Sequence, residues 1–281
     1  GEQQRQRASA GGAGRSGAAG PGAGETIDFG FASVPRGDKQ DMVKGVFDSV
    51  ASSYDVMNDL MSAGAHRLWK DYVVHNVLSP FGSTRHLDVA GGTGDVARRV
   101  LAAARAARAA EGSATGPAPF VTVCDINEAM LAAGQERAKR EGETDGLEWI
   151  AGNAEELPFE NDSYDSYTIA FGIRNVTDRQ KALREAYRVL RPGGRFVCLE
   201  FSHVDNPLLA QAYDTYSFNA IPAIGALVAN DAPSYRYLVE SIRKFPDREK
   251  FAAMVEDAGF RRVTAEPLMG GIVAVHAGLK I

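Results

Sequence analysis

Along residues 42–77 the apolar positions recur at spacings of three and four. Val43, Val46, Phe47, Val50 and Tyr54 share one face, which predicts a helix. A Ser-Ala-Gly-Ala break at 62–65 separates it from a second helical stretch, 67–77. Beyond residue 84 the pattern changes. Short strand-like runs at 85–89, 119–124, 147–150, 165–171, 195–201, 261–266 and 271–277 predict strands. Helical patterns fall between them, near 95–109, 127–140, 178–190 and 247–258. Such alternation predicts an α/β fold, a mostly parallel sheet with helices on both faces. Arg191-Pro192-Gly193-Gly194 stops a helix and turns into the fifth strand. Only Pro267 to Gly270 separates the last two strands. That is too short for a parallel crossover, so they pair antiparallel.

Punctuation divides the chain. Residues 1–24 are mostly Gly, Ala, Ser and Arg, with a single acid, Glu2, and no aromatic residue. Such a segment buries too little apolar surface to order itself. Arg5, Arg7 and Arg15 among Ser and Ala fit the end of a mitochondrial transit peptide; a flexible leader reads the same way. Residues 25–281 read as one domain, with an N-terminal helical cover over 40–80 and a lid or insertion at 205–245. Residues 111–118, rich in Gly, Ala and Pro, are a loop insertion.

The chain has 281 residues, 44% of them hydrophobic, and a net charge of −5. That supports a sizeable core and gives no basic field for nucleic acid. No run of about 18 apolar residues offers a membrane span. Cys124 and Cys198 lie in apolar runs and read as reduced core residues, and no metal-ligand spacing is present.

The chemistry concentrates at the ends of the strands, where open parallel sheets bind ligands. The first strand delivers Asp88, then Ala90-Gly91-Gly92-Thr93-Gly94-Asp95. Gly92 to Ala97 satisfies the G-x-G-x-x-G/A pattern of a dinucleotide site. Asp88 and Asp95, however, flank the place where a pyrophosphate would sit, and would repel it. The same acids suit S-adenosylmethionine (SAM), which carries a sulfonium and an ammonium. We therefore assign Asp88, Gly92, Thr93 and Gly94 to a SAM cradle, with an NAD site as the competing reading. The second strand ends in Asp125, a ribose acceptor or a helix cap. After the third strand, Asn153 and Ala154 can meet the adenine edge, with Leu157 and Phe159 near its face. The fourth strand ends in Phe171-Gly172-Ile173-Arg174-Asn175, which puts Arg174 and Asn175 at the mouth of the site.

Two stretches carry a more specific resemblance. Phe47-Asp48-Ser49-Val50-Ala51-Ser52-Ser53-Tyr54-Asp55-Val56-Met57-Asn58-Asp59, continued by Ser62 and His66-Arg67-Leu68-Trp69-Lys70, is one. Phe171-Gly172-Ile173-Arg174-Asn175-Val176-Thr177-Asp178 is the other. Together with Leu190-Arg191-Pro192-Gly193-Gly194-Arg195-Phe196 and Leu199-Glu200-Phe201-Ser202, they resemble the ubiquinone/menaquinone biosynthesis C-methyltransferases over about residues 40–281. The resemblance implies a class I SAM-dependent methyltransferase, Rossmann-like, with seven strands ordered 3-2-1-4-5-7-6 and strand 7 antiparallel. It implies SAM contacts at Thr93, Asp125, Asn153 and Ala154, and methylation of a ring carbon of a polyprenylated benzoquinol. Other coenzyme Q biosynthesis proteins are the implied partners. With a mitochondrial leader, the expected place is the matrix side of the inner membrane, peripherally bound.

Ala90 departs from the pattern D-x-G-x-G-x-G, a change small enough to keep the turn. For the chemistry we expect Arg174 to stabilise charge, Asn175 to hold a hydroxyl or water, and Tyr54 to share a proton relay. The apolar run 208–228 reads as a channel wall, a membrane-facing lid, or a core or homodimer helix. Competing functions are methylation of another small aromatic or lipid acceptor, and a non-catalytic scaffold in quinone synthesis.

Overall fold

The computed structural model describes residues 25–50, 58–59, 62, 64–82, 84–110, 112, 116–228 and 231–281. An antiparallel hairpin, β1 (Thr26–Phe29) and β2 (Ala32–Pro35), comes first. Helix α1 (Lys39–Val50) follows, then α2 (Ala65–Tyr72), which runs on as a π turn over Val73–Leu78. The hairpin lies outside the predicted elements. Its strands have four residues each and are largely exposed, so no apolar run announces them.

The sheet strands are β3 (Arg85–Val89), β4 (Phe120–Asp125), β5 (Leu147–Ala151), β6 (Tyr164–Ala170), β7 (Leu190–Phe201), β8 (Arg261–Leu268) and β9 (Val273–Leu279). Between them stand α3 (Asp95–Ala110), α4 (Glu128–Glu141), α5 (Arg179–Val189) and α9 (Arg248–Asp257). Helices α6 (Pro207–Thr215), α7 (Ile221–Val228) and α8 (Ala232–Lys244) fill the connection after β7. The order across the sheet is β5-β4-β3-β6-β7-β9-β8, with β9 antiparallel to both neighbours. Counted within the sheet this is 3-2-1-4-5-7-6, as predicted. β7 starts five residues before the predicted 195, because Leu190 already pairs with Tyr164 before the register shifts to Arg195 opposite Ser166.

Both faces of the sheet are covered. Leu87, Val89, Tyr167, Ile169, Phe196 and Cys198 pack with α5 and α9 on one side; Val121, Val123, Val197 and Leu199 pack with α2 and α3 on the other. Both cysteines are free and buried. Alternation along β3 and β6 leaves four polar side chains buried beneath α3: His86, Asp88, Ser166 and Thr168. They satisfy one another in series. Ser166 Oγ lies 2.8 Å from His86 Nδ1, His86 Nε2 lies 2.8 Å from Thr168 Oγ1, and Thr168 donates to Asp88 Oδ1 at 2.6 Å. Since the Thr168 proton goes to Asp88, its oxygen accepts from Nε2–H, and Nδ1 accepts from Ser166. Asp88 Oδ2 accepts the Ala97 amide at 3.1 Å, tying the first turn of α3 to β3. This chain of bonds sets where the glycine turn stands.

Candidate active site

The β3–α3 turn is built from left-handed backbone. Ala90 has φ 51°, Gly92 φ 54° and Gly94 φ 74°. An alanine held there costs about 1–2 kcal/mol, yet the turn forms with Ala90 in place. Across from it Phe171 has φ 58°, and a Cβ at Gly172 would stand 2.4 Å from the Ala90 Cβ. The ends of β3 and β6 therefore approach as closely as a missing side chain permits.

A cavity opens above these strand ends, with about 810 Å³ of space that includes its mouth to solvent. Val89, Ala90 and Gly92 form its floor on one side, and Asp125, Ile126, Asn127 and Met130 line the β4 side. Asn153, Ala154 and Glu155 line the β5 side, and Phe171, Gly172 and Asn175 close the β6 side. Its roof is α1, which contributes Gln40, Val43, Lys44 and Phe47. Two hydrogen bonds hold the roof: Asn127 Nδ2 to Asp48 at 2.8 Å and Asn153 Nδ2 to Gln40 at 3.3 Å.

Each side chain assigned from sequence can now be placed. Asp125 accepts from the Gly92 amide and from the Asn127 amide, both at 2.8 Å. Burial pushes its carboxyl upward, and these amides oppose that shift. The helix cap is Asn127, which accepts from Met130, so Asp125 is free of that duty and faces the cavity. Asn153 spends its oxygen on the Glu155 amide at 2.9 Å. Its side chain is thus committed at both ends, and the backbone beside Ala154 is what remains for an adenine edge. Leu157 and Phe159 do not face the cavity as expected. Leu157 is core, and Phe159 packs edge-on against Tyr164. The apolar walls come instead from Phe47, Ile126 and Met130.

Asp88 and Thr93 line a smaller second cavity with Lys70, Gly91 and Asp95. It shares Ala90, Gly92 and Phe171 with the first. Gly94 lines neither; a Cβ there would meet Trp149 at 2.5 Å, so its bareness serves packing rather than a ligand.

The turn is less acidic than its sequence suggests. Asp95 is paired with Lys70 at 2.8 Å and Arg99 at 3.1 Å. Burial pushes its carboxyl up, but the two cations outweigh burial and hold it at about 2. Asp88 is pushed the other way: burial raises it to about 7, against the bonds from Thr168 and Ala97. The turn therefore carries cations as well as acids, and bare repulsion of a phosphate no longer decides between ligands.

Arg174 and Asn175 part company. Asn175 lines the cavity, and Tyr237 from α8 donates to its Oδ1 at 3.1 Å. Sequence reading missed Tyr237, whose partner lies 62 residues away. Arg174 is not at the mouth. It is buried behind Asn175, where Nη1 pairs with Glu200 at 2.9 Å and also donates to the Phe171 carbonyl. Nε donates to Ser241 at 3.3 Å. Glu200 is 1% exposed and holds this arginine together with its own neighbour's amide, Phe201. Tyr54 lies outside the described residues.

Gly92, with its left-handed turn, is a cradle that a Cβ would fill: one built there comes within 3.1 Å of Met130 and 4.0 Å of Asp125. Asp125 and the turn backbone in the larger cavity, with Lys70 and Asp95 in the smaller, are a lining that suits an adenosine carrying a short zwitterionic chain. Solved structures share this fold. A SAM-dependent methyltransferase from Thermotoga maritima superposes with a TM-score of 0.57 at 19% identity, over 85% of this chain and all of that one. Another, from Aquifex aeolicus, gives 0.56 at 15% identity, over 81% and 98%. Fold and site define a class I SAM-dependent methyltransferase.

Residues 36–280 match the ubiE/COQ5 methyltransferase family, and the chain belongs to that family. A rice protein named mitochondrial 2-methoxy-6-polyprenyl-1,4-benzoquinol methylase is 58% identical over 90% of this chain and 88% of its own length. A zebrafish protein of the same name is 52% identical, over 92% and 85%. The ubiquinone/menaquinone biosynthesis C-methyltransferase UbiE of Brucella abortus is 54% identical over 90% of both.

Proposed function

We propose that this methyltransferase places a methyl group on a ring carbon of a 2-methoxy-6-polyprenyl-1,4-benzoquinol, a step of ubiquinone biosynthesis. The observation that carries the reading is the identity of 58% to the rice methylase, spread over nine-tenths of the chain. The mitochondrial relatives support the same compartment for this chain. We place it on the matrix side of the inner membrane, peripherally bound, working beside other coenzyme Q biosynthesis proteins, and able to form a homodimer.

Bound SAM supplies a methyl group on a sulfonium. The rest is the work of the chain. A neutral hydroquinol is a modest carbon nucleophile, so its hydroxyl proton must be shared or removed as the carbon–carbon bond forms and the sulfur–methyl bond breaks. The ring carbon's own proton then leaves, restoring the aromatic ring, and the oxygen regains its proton, so one proton is released overall. Asn175, which lines the cavity, is the residue we assign to the acceptor's hydroxyl. Because Tyr237 donates to Oδ1, the Nδ2 donors of Asn175 are directed to the remaining side and can hold an oxygen that gains negative charge. Arg174 places a cation immediately behind. Its Nη2 makes no hydrogen bond among the described residues. A guanidinium is a poor base, so its part is electrostatic. Tyr54 would pass the proton. The roof helix α1 would exclude water from the cofactor, with Phe47 as an apolar wall beside it.

The test is direct. The purified chain, SAM and a short-prenyl 2-methoxybenzoquinol kept reduced should yield a product one methylene heavier, its new methyl on a ring carbon by NMR. Methylation on oxygen, or no transfer while SAM binds, would overturn the assignment.

A further inference from the structure

The second cavity contains a cation that the sheet itself does not supply. Lys70 comes from α2, ahead of the first sheet strand, and reaches in beside the glycine turn. It is only 6% exposed, and its ammonium makes one hydrogen bond among the described residues, to Asp95 at 2.8 Å. An ammonium has three donors, so two remain. Asp95 does not depend on it alone, since Arg99 holds the other carboxylate oxygen at 3.1 Å. The cavity also presents Asp88, Thr93 and the turn backbone, and it joins the larger cavity through Ala90, Gly92 and Phe171.

We infer that Lys70 binds the carboxylate at the amino-acid end of SAM. This rests on the reading of the larger cavity as the adenosine site. With the ribose at Asp125, the rest of the molecule extends along the glycine turn into the smaller cavity, carrying an ammonium and a carboxylate there. Asp95, which also lines this cavity, provides the negative side. The positive side is Lys70, because Arg99 is turned to Asp95 and Asp71. The other titratable groups near Lys70 are His66, one turn before it, and Asp59, which is occupied by His66 and Arg67. The arrangement makes α2 part of the donor site, so that the N-terminal segment helps choose the methyl donor as well as covering it.

Decarboxylated SAM, which keeps the sulfonium and the ammonium and lacks only the carboxylate, isolates the contact. Calorimetry on the full chain should find it bound about 10- to 100-fold more weakly than SAM, the range of one charge-assisted hydrogen bond. Lys70→Met should weaken SAM and S-adenosylhomocysteine by a similar factor and leave decarboxylated SAM nearly unchanged, so the preference disappears. The double variant Lys70→Met with Asp95→Asn removes the pair without leaving a lone acid. It should lose the preference equally, and Lys70→Arg should restore part of it. Folding of each variant is read from its melting transition. A preference for SAM that survives in the variants, or is missing in the unaltered chain, would overturn the role of Lys70. If the unaltered chain bound none of the three compounds, the cofactor reading itself would fall.

Discussion

Arg174 shows how a residue chosen for its chemistry takes a different place once its partners are known. From sequence it was a cation at the mouth; in the structure it is a buried partner of Glu200, itself 1% exposed. Truncating one member of such a pair strands the other, at about 3–5 kcal/mol. Arg174→Ala should therefore lower stability as well as methyl transfer, and activity alone would not separate the two. Replacing the pair with neutral groups of similar shape, Arg174→Met with Glu200→Gln, avoids the stranded charge. We expect that variant to melt close to the unaltered chain and to bind S-adenosylhomocysteine normally, with kcat down about 100-fold. Unchanged kcat would make Arg174 a purely structural anchor for the turn that carries Asn175. Nothing local in Phe171-Gly172-Ile173-Arg174-Asn175 reveals this depth, because Glu200 and Ser241, which hold the guanidinium, come from distant elements.

Elements were more legible than partners. Most strands of the sheet could be read because they are apolar runs closed by turn residues, with the edge strand β8 the more polar exception, and the helices because their buried faces repeat every three to four positions. The 267–270 connection was enough to reverse the last strand. The β1–β2 hairpin was not legible, having no buried face. The polar network of β3 and β6 was not legible either: Asp88, assigned to the cradle, spends its oxygens on Thr168 and Ala97. That network has a pH signature. Asp88 is raised from an unfolded value of 3.8 to about 7 by burial. Its proton is thus kept by the folded form, and this contribution is full below pH 3.8 and lost as pH rises through about 7. His86 is lowered by burial from 6.5 to about 3; its contribution is full above 6.5 and lost as pH falls through about 3. Between roughly pH 4 and 6.5 the two slopes oppose each other. Asp88→Asn removes only the first. The chain of bonds can then run in reverse, from the amide through Thr168 to His86. The stability of that variant, relative to the unaltered chain, should rise with pH across 4 to 7 by at most about 4 kcal/mol. Urea titrations at several pH values measure this difference, and a flat or falling one would remove Asp88 from the account.

For the whole molecule the open question is how a cavity roofed by α1 meets an acceptor with a long apolar tail. No described helix is long and apolar enough to cross a membrane. The surface does carry a patch where two otherwise separate parts meet. Phe31, at the tip of the hairpin, stacks on Phe218 of the segment between α6 and α7, with centroids 6.2 Å apart. Both rings remain substantially exposed, at 55% and 40%, and Leu208 on α6 is 80% exposed. The hairpin leads into the roof helix, and α8 carries Tyr237 to Asn175, so the patch sits on the two segments that frame the site. Apolar side chains of this kind enter the interface of a bilayer by burial of area. The net charge of −5 works against attraction to anionic lipid. Binding to vesicles should therefore be as strong on zwitterionic as on anionic lipid, and salt should not release it. Phe31→Asp with Phe218→Asp should reduce flotation with zwitterionic vesicles several-fold while S-adenosylhomocysteine affinity stays unchanged. Those exposed rings can accept charge without disturbing the core, so flotation that persists in the double variant would mean that another surface, or a partner protein, brings the enzyme to its substrate.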